Sequence, residues 1–138
     1  MANVNCYLAF DGYCEEAFRH YEKVFGKPIT YVGYYRDMPG DAPIPENQQN
    51  YVMHINLPIN GENCLMGCDT IEGYAKGNNV SICVGADTAD EAQRIFDGLA
   101  EGGTVVMPLE KSFFAALFGM VTDHFGICWL VIYEGKEV

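Results

Sequence analysis

Short runs of alternating apolar and polar residues, interrupted by two stretches with helical spacing, set the order of elements along this chain. Val4 to Phe10 reads as an apolar strand, and Asp11-Gly12 as the turn after it. Between Cys14 and Phe25, the residues Ala17, Phe18, Tyr21, Val24 and Phe25 draw one apolar stripe, which predicts a helix. Gly26-Lys27-Pro28 ends it, because Gly tolerates the left-handed conformation and Pro cannot continue the hydrogen-bond ladder. Ile29 to Asp37, rich in Tyr, Val and Thr, reads as a strand. Met38 to Asn50 holds three prolines with Gly, Asp and Asn and reads as a loop too short to separate two cores. Tyr51 to Ile59 and Glu62 to Asp69 form a hairpin across Asn60-Gly61, and Thr70 to Gly77 is a further loop.

The same order then begins again. Val80 to Ala86 reads as a strand and Thr88 to Glu101 as a helix with Ala92, Ile95, Phe96 and Leu99 on one side, stopped by Gly102-Gly103. Thr104 to Leu109 is a strand, and Phe118 to Asp123 with Ile127 to Tyr133 is a hairpin turning through Phe125-Gly126. Glu16-Ala17-Phe18 matches Glu91-Ala92-Gln93, and Asn60-Gly61 with Leu65 matches Phe125-Gly126 with Leu130. The expected architecture is a pseudo-symmetric α+β tandem of two βαβββ modules, residues 1–70 and 78–135, within one domain spanning 1–138.

Period-2 alternation assigns faces. Met53, Ile55 and Leu57 should pack under a helix, leaving Val52, His54 and Asn56 on the other side. Cys6, Leu8 and Phe10 point to the helix, and Asn5, Tyr7 and Ala9 to the open face. In the second module Val80, Ile82 and Val84 go inward, and Ser81 and Cys83 do not. An open sheet face carrying Asn, Tyr, Ser and His is a candidate binding surface.

Composition narrows the partners. Apolar residues make up 49% of the chain and charged ones 20%, enough for a packed core. The formal charge of −11 repels polyanions, so nucleic acid and anionic membranes are not expected as partners. The longest apolar run, Ile127 to Tyr133, is strand-sized. The segment from Met1 to Cys6 lacks the basic and apolar regions of a secretory leader, from which a cytoplasmic location is expected. The six cysteines, Cys6, Cys14, Cys64, Cys68, Cys83 and Cys128, form no C-x-x-C and should be reduced and mostly buried.

Several segments resemble PhnB-like proteins of the vicinal oxygen chelate superfamily, which includes glyoxalase I, bleomycin-resistance proteins, fosfomycin-resistance enzymes and extradiol dioxygenases. They are Tyr7 to Ala17, Met53-His54-Ile55, Met107 to Phe114 and, most specifically, Phe118 to Trp129. The resemblance covers essentially the whole chain. It implies the glyoxalase/bleomycin-resistance fold, with two βαβββ modules curling into a U-shaped cleft, and a homodimer. Some relatives carry the label of a ubiquinone-pathway methyltransferase, yet no glycine-rich strand-loop-helix for a methyl donor occurs here.

In the metal-using members a divalent ion is held by a His or Gln near the start of the first strand of each module and a Glu in the last. Those positions fall on Asn5 and Ser81 and on Leu65 and Leu130, and neighbouring Cys64, Met66, Trp129 and Val131 do not restore the Glu residues. A catalytic site normally supplies three good ligands, so no cofactor is expected; a divalent metal at a nonstandard site around His54 is the alternative.

His54, mid-strand on the open face, is the candidate acid-base or ligand-contacting residue. His20 and His124 read as surface residues. Asn5, Tyr7, Tyr35, Asn56, Ser81, Phe113, Phe114 and Met120 complete the candidate ligand-binding set, whereas Trp129 shares parity with the core. Arg36 reads as an exposed charge, and Asp37, Asp41 and Glu46 as a solvated acidic loop. Two functional classes follow: a small-molecule binder of the bleomycin-resistance kind, or a lyase, isomerase or transferase using a metal or His54.

Overall fold

The computed structural model describes residues 2–40 and 43–135, so Asp41 of the acidic loop lies outside the described residues. The described residues divide into two compact units, the first ending at Ala75 and the second starting at Lys76. The first unit runs β1 (Cys6–Phe10), α1 (Cys14–Phe25), β2 (Tyr31–Tyr34), β3 (Val52–Pro58) and β4 (Cys64–Asp69). The second repeats it as β5 (Ile82–Gly85), α2 (Ala89–Ala100), β6 (Thr104–Glu110), β7 (Leu117–Thr122) and β8 (Cys128–Tyr133). Each unit has one four-stranded mixed sheet, in the order β1-β4-β3-β2 and β5-β8-β7-β6. The repeat expected from the sequence is therefore present in the topology, with one parallel pair in each sheet.

In the first unit α1 buries Ala17, Phe18, Tyr21 and Val24, and the sheet supplies Phe10, Ile55, Leu57 and Leu65 to the same core. The helix can sit this close because β4 has Gly67 under it: a β-carbon there would meet the Leu8 carbonyl oxygen at 2.6 Å and the Phe18 ring at 2.9 Å. Gly26, at φ 65°, closes α1 in the left-handed conformation. The helix start has no side-chain cap of its own. Instead the Asp69 carboxylate, at the end of β4 and 1% exposed, accepts from Gly12 N–H at 2.8 Å, Cys14 N–H at 3.0 Å and Val52 N–H at 2.9 Å. One buried charge thus ties the β1–α1 turn to β3 and β4 and satisfies donors that would otherwise be orphaned.

The second unit solves its helix start differently. Thr88 accepts from Glu91 N–H at 3.1 Å, while the Glu91 carboxylate accepts from Asp87 N–H at 2.9 Å. Its buried carboxylate, Asp123, instead holds the β7–β8 loop: it accepts from Phe125 and Ile127 N–H and from the Trp129 indole.

Four sequence expectations need correction. The strand expected over Ile29 to Asp37 is only Tyr31–Tyr34, because Tyr35–Asp37 turns as a 3-10 helix. Val52 is buried and Met53 half-buried, the reverse of the expected parity. Gly33 pairs with His54 and Tyr34 with Val52, so Met53 is an extra residue, and this bulge flips the side chains before it. Val80 is 75% exposed because β5 begins only at Ile82. Finally, Cys14 alone among the six free cysteines is buried; Cys83 is exposed and the rest are intermediate.

The hairpins also differ from expectation. Asn60-Gly61 is not a two-residue turn with positive φ, since no described non-glycine residue has positive φ and Gly61 does not either. Pro58 pairs with Cys64 across a five-residue loop in which Asn60 Oδ1 accepts from Glu62 and Asn63 N–H. Thr122 pairs with Cys128 in the same way, and Ile59 N–H bonds Asn63 O as Asp123 N–H bonds Ile127 O. Cys64 thus corresponds to Cys128 and Leu65 to Trp129. The matching of Leu65 with Leu130, counted from the hairpin glycines, is one residue out of register because the two loops carry their glycine at different places.

Candidate functional site

The register of the first sheet builds its open face rung by rung. Tyr7 pairs with Met66, Met66 with Asn56 and Asn56 with Tyr31, so one rung crosses all four strands. On the adjacent rung Ala9 pairs with Cys68 and His54 with Gly33, and the β3–β4 register sets Cys68 across from His54. Parity therefore brings together the predicted Tyr7, His54 and Asn56. It also adds Tyr31 and Cys68, which the sequence reading did not single out.

Two tyrosines flank the imidazole. The Tyr7 ring lies 5.7 Å from that of His54 at an interplanar angle of 27°, and the Tyr31 ring lies 5.9 Å away at 42°. Gly33 makes the second contact feasible: a β-carbon there would lie 2.5 Å from the Tyr31 hydroxyl. Tyr7 and Tyr31 remain about half exposed, at 52% and 51%. The row Tyr7–His54–Tyr31 is thus a half-exposed aromatic strip on the sheet, its rings inclined to one another.

Its polar chemistry centres on one oxygen. The Tyr7 hydroxyl lies 3.2 Å from His54 Nδ1, and the strand register sets Cys68 on the same face. Burial, reinforced by Cys68, pushes the Tyr7 phenol up to about 12. Burial also raises the Cys68 thiol, against the lowering effect of the nearby Tyr7 phenol. Tyr35, whose phenol donates to the Asp69 main-chain oxygen at 2.9 Å, is raised chiefly by burial and then by Cys68. At neutral pH all three groups are protonated and act as donors. Asn56 donates from Nδ2 to Thr30 Oγ1 at 3.3 Å, and its Oδ1 is buried without a hydrogen-bond partner.

The other predicted residues have contacts of their own. Asn5 Oδ1 accepts from Cys64 N–H at 3.1 Å, a structural tie between β1 and β4. Arg36 sits 4.3 Å over the Tyr34 ring and bonds Asn50 Oδ1. Ser81, Phe113, Phe114 and Met120 belong to the second unit. Ser81 is exposed just before β5, and Met120 pairs with Met107 and Leu130 inside its sheet. Phe113 is fully exposed on a turn held by Ser112, and Phe114 packs edge-on between Phe113 and Phe118.

The superfamily's metal does not fit these residues. Asn5 is committed to a backbone donor, Leu65 is buried in the core, and Leu130 offers only hydrocarbon. Among the described residues, no three His, Cys, Asp or Glu side chains converge as a metal site would require.

A sheet order repeated in two βαβββ units defines the glyoxalase/bleomycin-resistance fold, and the same fold recurs in far more distant solved structures. Within it, a family model described as 3-demethylubiquinone-9 3-methyltransferase matches residues 2–132, and the chain belongs to this PhnB-like family. Protein PA1353 from Pseudomonas aeruginosa is 37% identical, with 97% of this chain and 98% of that one covered at a TM-score of 0.87. A putative 3-demethylubiquinone-9 3-methyltransferase, PhnB protein, from Bacillus cereus is 26% identical, with coverage of 96% and 99% and a TM-score of 0.78. Protein YjdN of Escherichia coli (strain K12) is 29% identical over 133 residues, 91% of this chain and 90% of YjdN.

Proposed function

We propose that the protein binds a small, flat molecule on the open face of its first sheet, with the ligand lying along Tyr7, His54 and Tyr31. The supporting observation is the half-exposed aromatic strip itself: two tyrosines flank an imidazole whose Nδ1 is already hydrogen-bonded, on a face with no helix of its own. Rigid aromatic surface with a few fixed polar groups is how small-molecule sites combine affinity with orientation. Methyl transfer, named in the family description, is not part of this reading, because the sequence lacks the glycine-rich element that would hold the donor. The protein acts as a homodimer in this account. The exposed apolar residues Val105, Val106, Met107, Phe113 and Phe114 of the second unit support that assembly.

The test uses a matched pair of probes, 2-naphthamide and its decahydro counterpart, which share the amide and differ in flatness. Titration of the 15N-histidine protein should move the His54 ring signals, assigned with His54→Ala, for the flat probe and leave them in place for the puckered one. Equal shifts from both would remove the stacking argument.

A second reading, acid-base catalysis by His54, is favoured by the Tyr7–His54 hydrogen bond: with Nδ1–H donating to the Tyr7 oxygen, Nε2 is the unprotonated nitrogen that can accept a substrate proton. It predicts turnover lost in His54→Ala with ligand affinity retained.

A further inference from the structure

We propose that Asn60 is a self-modifying site, its side-chain amide converted to a carboxylate through a cyclic imide with Gly61, and that the β3–β4 loop speeds the conversion. Asn60 is the one asparagine of the chain that is followed by glycine. Gly61 is exposed, and a β-carbon built on it would meet nothing beyond its chain neighbours within 4 Å. Its N–H meets no acceptor among the described residues, so the attacking nitrogen is both uncrowded and uncommitted.

The carbonyl it attacks is already polarised. Asn60 Oδ1 accepts from Glu62 N–H at 2.8 Å and from Asn63 N–H at 2.7 Å, while Nδ2 donates to Asn63 Oδ1 at 3.2 Å. Two main-chain donors can meet only an acceptor, which settles the orientation of the amide. Such a pair of N–H groups is the arrangement that stabilises the oxyanion of a tetrahedral intermediate. Main-chain bonds from Ile59 and Asn60 N–H to Asn63 O keep the loop closed around it.

In the first step the Gly61 nitrogen gives its proton to water and bonds to Asn60 Cγ, and the C=O π pair moves onto Oδ1 between the two donors. As that pair returns, the Cγ–Nδ2 bond breaks and Nδ2 leaves as ammonia with a proton taken from water. Water then adds to an imide carbonyl and opens the ring, leaving a carboxylate. Water is the sole co-reactant, and one neutral side chain becomes a negative one. Opening at the Cγ–N bond restores the main chain and leaves the new carboxylate facing the same two donors, a stronger acceptor for them than the amide was.

The protein is held at neutral pH and digested at intervals, and the peptide spanning Asn60 is followed by mass spectrometry for replacement of –NH2 by –OH. A synthetic peptide of residues 57–66 and the whole protein unfolded in urea are followed in parallel. The native protein should convert about fivefold faster than either, a smaller factor than an enclosed oxyanion hole gives because this loop is open to water. Asn78 and Asn79, exposed but not followed by glycine, should stay intact over the same time. Glu62→Pro removes one donor and leaves Asn60 and Gly61 in place; with Tm retained, its rate should fall towards that of the peptide. The comparison of native protein with peptide decides the matter even where this variant does not fold. A native rate equal to or below those of the peptide and the unfolded chain overturns the proposal, as does a folded Glu62→Pro that converts as fast as the unaltered protein.

Discussion

Tyr7 and His54 sit on strands that do not touch, with β4 lying between β1 and β3, yet the Tyr7 hydroxyl comes within 3.2 Å of His54 Nδ1. A tyrosine is long enough to reach across that intervening strand. The contact therefore reports the register of three strands at once. A one-residue slip of any of them would send one partner to the core.

Tyr31 depends on its glycine neighbour. In Gly33→Ala the new methyl would displace the far end of the Tyr31 ring, a flexible side chain that can swing into solvent. We expect the unfolding midpoint in urea to change little, with stability altered by about 0.5 kcal/mol, because the only atoms in the way belong to a side-chain end that can move into solvent. Affinity for 2-naphthamide should nevertheless fall several-fold, because Tyr31 no longer lies against His54.

Gly67→Ala should behave in the opposite way. There the added carbon meets a backbone carbonyl and the buried Phe18 ring, neither of which can leave. Overpacking of this kind costs about 1–3 kcal/mol, and urea unfolding of the variant should show it as a lower midpoint at an unchanged slope.

Asp69→Ala removes the acceptor for three backbone donors, two in the β1–α1 turn and one on β3. The loss should be on the order of 3 kcal/mol, since hydrogen bonds to charged groups are worth more than neutral ones and the donors are left buried. Asp69→Asn, which keeps one acceptor oxygen, should lose less. The same measurement of urea stability ranks the two.

Alkaline pH should destabilise the protein before the usual tyrosine range is passed. The Tyr7 phenol is raised to about 12, Tyr34 is raised first by its hydrogen bond to Glu15, and burial raises Tyr35, Cys68 and, most strongly, Cys14. For each of these groups the folded protein holds its proton to a higher pH than the unfolded chain does. The unfolded state thus binds fewer protons once pH exceeds the ordinary thiol and phenol values, and stability falls as pH rises from about 9 towards 12. Thermal unfolding followed from pH 8 to 11 should show a declining Tm, with a smaller decline in Tyr7→Phe.

Much of the fold was legible because helical stripes and turn residues are local signals. Cys14 to Phe25 emerges as α1 with the bounds the stripe implied, and Gly26 ends it as expected. The open face was legible to the extent that parity holds: Tyr7, His54 and Asn56 do share it. Parity failed at Val52, because the bulge at Met53 leaves no mark in a run of apolar residues. Tyr31 was missed because the strand over Ile29 to Asp37 was given no faces; pairing it with β3 would have set Tyr31 beside Asn56. Cys68 was missed for a chemical reason. Cysteine within an apolar strand reads as a small hydrophobe, and only the strand register sets Cys68 on the face that carries His54.

The central claim is that the aromatic strip on the first sheet is a binding surface. Calorimetric titration of 2-naphthamide into the unaltered protein and into the Tyr7→Ala, Tyr31→Ala double variant tests it most directly. The account predicts binding that weakens by at least about tenfold when both rings are gone, in line with the worth of two aromatic contacts. Equal affinity in a double variant that retains its Tm would contradict it.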